Sequence, residues 1–153
     1  MAAAGRVGFC TDEACGRQIA GILRNLRAPG APNIRDAREL GLGGASDEAL
    51  MAELGRRGFA ALVTLDSRIL SAAMRRAAWQ QSGLTLFVLD GRWGNLPLFD
   101  QARRLIWWWP ELVSKATEGP QGAAWHVAPD AKPANIVRIF ANIGNVQEPG
   151  TAT

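Results

Sequence analysis

The sequence predicts an α/β fold with a mainly parallel central sheet, and three observations carry that expectation. Short, near-continuous apolar runs, above all FAALVTL (59–65) and LTLFVL (84–89), have the character of strands covered on both faces. Between them lie stretches whose apolar residues recur at helical spacing. Glycine and proline punctuate the joints, so that strand and helix alternate along the chain, as in α/β sandwiches. A length of 153 residues suits one domain with a real core, and 48% hydrophobic against 20% charged residues marks a folded chain.

In chain order, RVGFC (6–10) reads as the first strand, ending at Thr11-Asp12-Glu13. Helical spacing follows from Ala14, with Ile19, Ile22, Leu23 and Leu26 on one face, until Pro29-Gly30-Ala31-Pro32 stops it. Residues 33–35 are expected as a short second strand, and LGLGGA (40–45) as a flexible lead-in. Ser46 is placed to cap a helix over Asp47–Arg57, with Leu50 and Leu54 inward and Gly58 as its left-handed terminator. A third strand covers 59–65, a helix 67–80 broken by Gly83, and a fourth strand 84–89, ending at Asp90-Gly91. The longest helix is expected over Leu98–Pro110 with a continuation to Lys115, closed by Gly119-Pro120. Strands over 123–127 and 136–143 complete one domain of residues 1–144, and the polar tail 145–153 is expected to be disordered.

Cys10 and Cys15 form no disulfide framework or zinc spacing and read as buried small hydrophobes. The start lacks the long apolar core of a signal peptide, and no apolar run is long enough to span a membrane, so a cytosolic protein without membrane contact is expected. A net charge of +3, almost all from arginine, is compatible with a nucleic-acid partner without requiring one. The glycine-rich 40–45 stretch has neither the Lys-Ser/Thr ending of a P-loop nor the order of a dinucleotide site. His126 is the only histidine and sits in an apolar run, which removes a two-histidine ribonuclease mechanism.

Chemistry points instead to the acids. Asp12, Asp66 and Asp90 each follow an apolar strand candidate, and Asp47 opens a helix feeding one. Ligands in parallel α/β sheets bind at the carboxyl ends of the strands. Carboxylates meeting there repel one another unless a cation or shared protons compensate, and Mg²⁺ or Mn²⁺ takes such hard oxygen ligands. Each acid also has a purely structural role open to it. Asp12 and Asp47 suit helix N-termini, Asp66-Ser67 suits the cap of the next helix, and Asp90-Gly91 is a common turn pair.

The order strand–DE–helix, then GASDEALMAELGRRG (44–58), then strand–TLD resembles PIN-like nucleases of the Mut7-C and DUF5615 type, relatives of the VapC toxins. FVLDGRWGNLPLFDQARRLIWWWPELV (87–113) looks similar to the later part of these proteins. The likeness runs from about Val7 to Val127 and rests on the order and spacing of short motifs. It implies a three-layer α/β/α sandwich and a metal-dependent endoribonuclease, commonly silenced by a cognate antitoxin protein. On the matching positions Asp12, Asp47 and Asp66 are metal ligands, with Thr64 beside them as a supporting donor. Many relatives carry a further acid two residues past TxD, where this chain has Arg68. Asp90 is the candidate to replace it, and Arg68 or Arg92 to contact phosphate; Glu13 and Glu48 are neighbours expected at the surface.

Trp107-Trp108-Trp109 place aromatics around most of a helix, so at least one should leave the core face. An exposed tryptophan suits a protein interface. The alternative to the nuclease is therefore a non-catalytic interaction module that keeps the fold and uses this helix. Expected partners are RNA, an antitoxin and, on self-association, a second copy forming a homodimer.

Overall fold

A computed structural model describes residues 8–12, 15 and 18–140. Its strands are β1 (Phe9–Thr11), β2 (Ile34–Asp36), β3 (Ala61–Thr64), β4 (Thr85–Leu89), β5 (Ala124–Val127) and β6 (Val137–Ile139). Its helices are α1 (Gln18–Asn25), α2 (Asp47–Arg56), α3 (Ala73–Ser82) and α4 (Leu98–Glu118). The strands form one sheet in the order β2-β1-β3-β4-β5-β6, parallel throughout except for the antiparallel edge strand β6. The expected tail, the start of the first helix and the first residues of the expected opening strand lie outside the described residues.

Alternate strand residues feed two separate cores, as the twofold pleat demands. Phe9, Ala61, Val63, Phe87, Leu89, Trp125 and Val127 face α1 and α4. Cys10, Leu62, Leu86, Val88 and Ala124 face α2 and α3. The fold is thus the expected three-layer α/β/α sandwich. Gly55 lets α2 and α3 approach closely, since a Cβ there would stand 2.9 Å from the Ser82 backbone.

The crossovers through α1, α2 and α3 share one hand. The step through α4 runs in the same direction as that through α3, yet its helix lies on the opposite face, so its hand is reversed. Right-handed crossovers dominate parallel sheets, which makes the α4 connection the left-handed exception.

Two expected elements are corrected. The helix expected from Ser67 begins only at Ala73, because local bonds hold 67–71 as turns: Arg68 N–H donates to Asp66 Oδ1 at 3.0 Å and the Ser71 hydroxyl to Arg68 O at 2.8 Å. Such side-chain bonds to nearby backbone compete with the helix ladder. The second strand extends one residue further than expected, to Asp36, whose carboxylate accepts from Arg38 N–H while Glu39 reaches back to Asp36 N–H. No helix among the described residues is long and apolar enough to cross a membrane.

Candidate metal centre

Because β1 to β5 are parallel, their carboxyl ends share one edge, and α2 starts from the same edge. Asp12 follows β1, Asp66 lies just beyond β3 and Asp47 is the first residue of α2. These three side chains, with Ala37, Leu42, Ala45 and Leu50, line one cavity of about 170 Å³. Leu42 and Ala45 come from the glycine-rich lead-in, which forms a wall of the cavity.

Thr64, fully buried at the end of β3, ties the acids together. Its hydroxyl donates to Asp12 Oδ2 and accepts from Asp66 N–H at 2.9 Å. Asp12 also accepts the Cys15 N–H at 3.3 Å and the Leu65 N–H. Burial nevertheless outweighs these bonds and raises the Asp12 pKa above the ordinary aspartate value.

The Asp47 carboxyl is not consumed by helix capping, because Ser46 Oγ accepts the Ala49 N–H that a cap must satisfy, at 3.1 Å. Instead its neighbour is the Asp66 carboxyl, whose hydrogen bonding and charge both raise the Asp47 pKa. Burial, that hydrogen bond and the Asp66 charge push the Asp47 pKa up to about 6, with Asp12 adding and Arg75 opposing. The Arg75 guanidinium stands 3.9 Å from Asp47 Oδ2.

Asp90 does not line this cavity. It binds Arg92 at 2.6 Å and His126 Nε2 at 3.2 Å, and its carboxylate accepts the Arg92 N–H in a turn. Burial raises its pKa, but the Arg92 side chain and N–H, with the Arg92 and His126 charges, bring it below the ordinary value. Arg92 is held by Asp90 and Asp130, and the exposed Arg68 offers its backbone N–H to Asp66. Glu48 is half-buried in the first turn of α2; Glu13 lies outside the described residues.

Asp36 was not anticipated as a member of this edge. It is fully buried, accepts the Thr11 hydroxyl at 3.1 Å and pairs with Arg38 at 2.8 Å, so its charge is compensated within the chain. Its signal was present in Asp36-Ala37-Arg38-Glu39, an acid at a strand end with a glutamate three residues on. Arg75 was also missed as a neighbour of the acids, since a helical arginine before α3 was known gives no sign of where it points.

The donors suit a hard divalent cation by type, being carboxylate oxygens gathered around one cavity. Among the described residues no three His, Cys, Asp or Glu side chains form a ready-made metal cage. The fit is therefore to an ion that keeps several waters and takes only one or two carboxylates directly, as Mg²⁺ commonly does.

A mainly parallel α/β/α sandwich with carboxylates gathered at the strand ends defines an α/β protein whose candidate site lies at the sheet edge. The chain belongs to the PIN-like domain family: the family model described as "PIN like domain" matches residues 8–91, more than half of the 153. That match spans Asp12, Asp47, Thr64, Asp66 and Asp90 and ends before α4. Neither a search of curated proteins nor one of solved structures finds a match.

Proposed function

We propose that this protein is a Mg²⁺- or Mn²⁺-dependent endoribonuclease of the cytosol, acting as the toxin of a VapBC-like toxin–antitoxin pair. Support comes first from one observation: Asp12, Asp47 and Asp66 line one cavity, where the Thr64 hydroxyl bonds both the Asp12 carboxylate and the Asp66 backbone. Acids crowded in a cleft with an apolar wall are stabilised by a cation that offsets their mutual repulsion.

Asp12, Asp47 and Asp66 would hold the ion, one or two of them directly and the rest through its waters, and the bound ion would activate water and offset phosphate charge. Thr64 holds the Asp12 carboxylate through its hydroxyl hydrogen and braces the Asp66 backbone through the N–H it accepts. Arg75 restrains Asp47 and lends positive charge to the rim, where a phosphodiester has to approach. The apolar wall from Ala37, Leu42, Ala45 and Leu50 limits the water that reaches the carboxylates, which strengthens their electrostatic hold.

The test is direct. Purified protein incubated with single-stranded RNA and Mn²⁺ should release fragments, EDTA should stop it, and Asp66→Asn should abolish it. Matched single-stranded DNA in a parallel reaction separates a deoxyribonuclease of the same chemistry. An Asp66→Asn protein that cuts RNA as the wild type does would end the proposal.

A second reading rests on a different observation. Phe99 and Trp107 are 76% and 54% exposed, and an apolar groove of about 470 Å³ runs between Ile22 of α1 and Leu98, Phe99, Ala102 and Ile106 of α4. Such surface suits a protein partner, which would be an antitoxin for an active nuclease or the main ligand of a non-catalytic module. Absence of any EDTA-sensitive cleavage would favour the module.

A further inference from the structure

Arg76, in the first turns of α3, stands apart from the other arginines described. It is only 7% exposed, and a guanidinium is charged at every physiological pH. Among the described residues no carboxylate pairs with it. Its bond goes from Nη1 to the Leu70 carbonyl at 2.9 Å, and its Nε is buried without any partner. A desolvated cation left this way is costly, and buried charges in folded proteins are normally matched by an opposite one.

Arg76 lines a cavity of about 430 Å³ with Ser67, Ile69, Leu70, Ser71, Val88 and Ile139. The Ser67 side chain is exposed there. The neighbouring Arg75 binds the Arg68 carbonyl at 2.7 Å, which gathers more positive charge on the same turn. The 67–71 turn leads into α3, whose N-terminus has no side-chain cap because Ala72 occupies that position. Uncapped helix N–H groups favour negative charge.

We propose that this cavity is an anion site that binds a phosphate, with Arg76 as its fixed charge and Ser67 as a hydroxyl donor. Its position names the phosphate's source. Asp66 lines the acid cavity and Ser67, its direct neighbour, lines this one, so the two sites flank a single peptide bond. The phosphate is one belonging to the nucleic-acid strand, next to the position cut at the acids. This source rests on the nuclease reading; the anion site itself does not.

Inorganic phosphate is the first probe, followed by thermal unfolding of the full chain in EDTA at constant ionic strength. Millimolar phosphate should raise the wild-type midpoint by several degrees, through selective binding to the folded state. Arg76→Met should lose that shift. Ser71→Glu places a carboxylate among the lining residues and leaves Arg76 itself in place, so it should abolish the phosphate response. It also decides the matter if Arg76→Met fails to fold. Asp66→Asn should keep the response.

The second arm measures affinity for a single-stranded RNA in EDTA, where cleavage is suppressed. Ser71→Glu or Arg76→Met should weaken it about tenfold. No phosphate shift, or an equal shift in wild type and Ser71→Glu, overturns the anion site. A phosphate shift that depends on Arg76 with unaltered RNA affinity overturns the strand assignment. Loss of cleavage at Asp66→Asn is irrelevant to either outcome, so the nuclease reading and this one fail separately.

Discussion

Replacing Asp47 by asparagine should make the metal-free protein more stable at alkaline pH and no more stable in acid. Burial and the Asp66 carboxyl raise the Asp47 pKa from 3.8 to about 6. A folded-state pKa above the unfolded one means that the group's contribution is complete below about pH 3.8 and is lost as pH rises through about 6. At about 1.4 kcal/mol per pH unit the full loss approaches ~3 kcal/mol. The side chain is 26% exposed and Arg75 stands 3.9 Å away, so solvent and that charge reduce it to about 1–2 kcal/mol. Asparagine keeps the shape and one donor for Asp66 without ionising. For a domain of this length the gain corresponds to a midpoint about 3–6 °C higher at pH 8, shrinking towards zero near pH 4. Tryptophan fluorescence during heating, in EDTA across pH 4–8, reads it directly. Mn²⁺ should then raise the wild-type midpoint at pH 8 and raise that of Asp47→Asn much less. A difference between variant and wild type that stays constant across the pH range would refute the crowding of acids on which the metal centre depends.

Three other outcomes follow from named contacts. Thr64→Val removes one donor of the buried Asp12 carboxylate, so it should cost about 1–3 kcal/mol and weaken Mn²⁺ binding about 10–100-fold, while Thr64→Ser restores most of both; denaturant unfolding and calorimetric titration measure them. Asp90→Asn breaks pairs with a half-exposed Arg92 and with His126, so stability should fall by less than about 1 kcal/mol and Mn²⁺ affinity should not change. Trp108→Ala empties a fully buried site and should cost about 3–5 kcal/mol in urea unfolding, whereas Trp107→Ala, on the exposed side of the same helix, should stay within about 0.5 kcal/mol.

Much of the fold was legible because it follows from local rules. The runs 59–65 and 84–89 contain β3 and β4, Ser46 caps α2 as expected, and Gly58 and Gly83 both adopt the left-handed conformation after their helices. The family resemblance placed Asp12, Asp47, Thr64 and Asp66, and all four occur at one sheet edge. What local rules could not show was how side chains compete for partners. Asp90 satisfies the same strand-end pattern as Asp66 yet is turned to Arg92 and His126. Arg76 satisfies the pattern of a solvated helical arginine yet is buried, because the 67–71 turn folds over it and Ile69 anchors that turn in the core. Periodicity marks which face of a helix is apolar; it is silent about a neighbouring turn that covers the polar one.

The reversed α4 crossover has a physical cause that also separates the two functional readings. α2 and α3 already occupy one face of the sheet, pressed together at Gly55 and Ser82. The other face has only the short α1, and its strand residues Phe9, Phe87 and Trp125 leave a wide apolar surface to cover. α4 has the side chains for it: Leu105, Trp108, Trp109 and Leu112 are all buried, Trp109 packs on Phe9 at 5.4 Å, and its indole donates to the Pro29 carbonyl at 2.8 Å. Burying those rings gives α4 the apolar contacts that hold it on this face, in a crossover of the less common hand. The acid cavity is walled by Ala37, Leu42 and Leu50, which belong to the α2 side. Exposed Trp107 and Phe99 thus sit on the layer built by α4, while the carboxylates are framed by the layer built by α2. Substitutions on the α4 surface should alter partner binding without altering Mn²⁺ affinity, and substitutions at the acids should do the reverse.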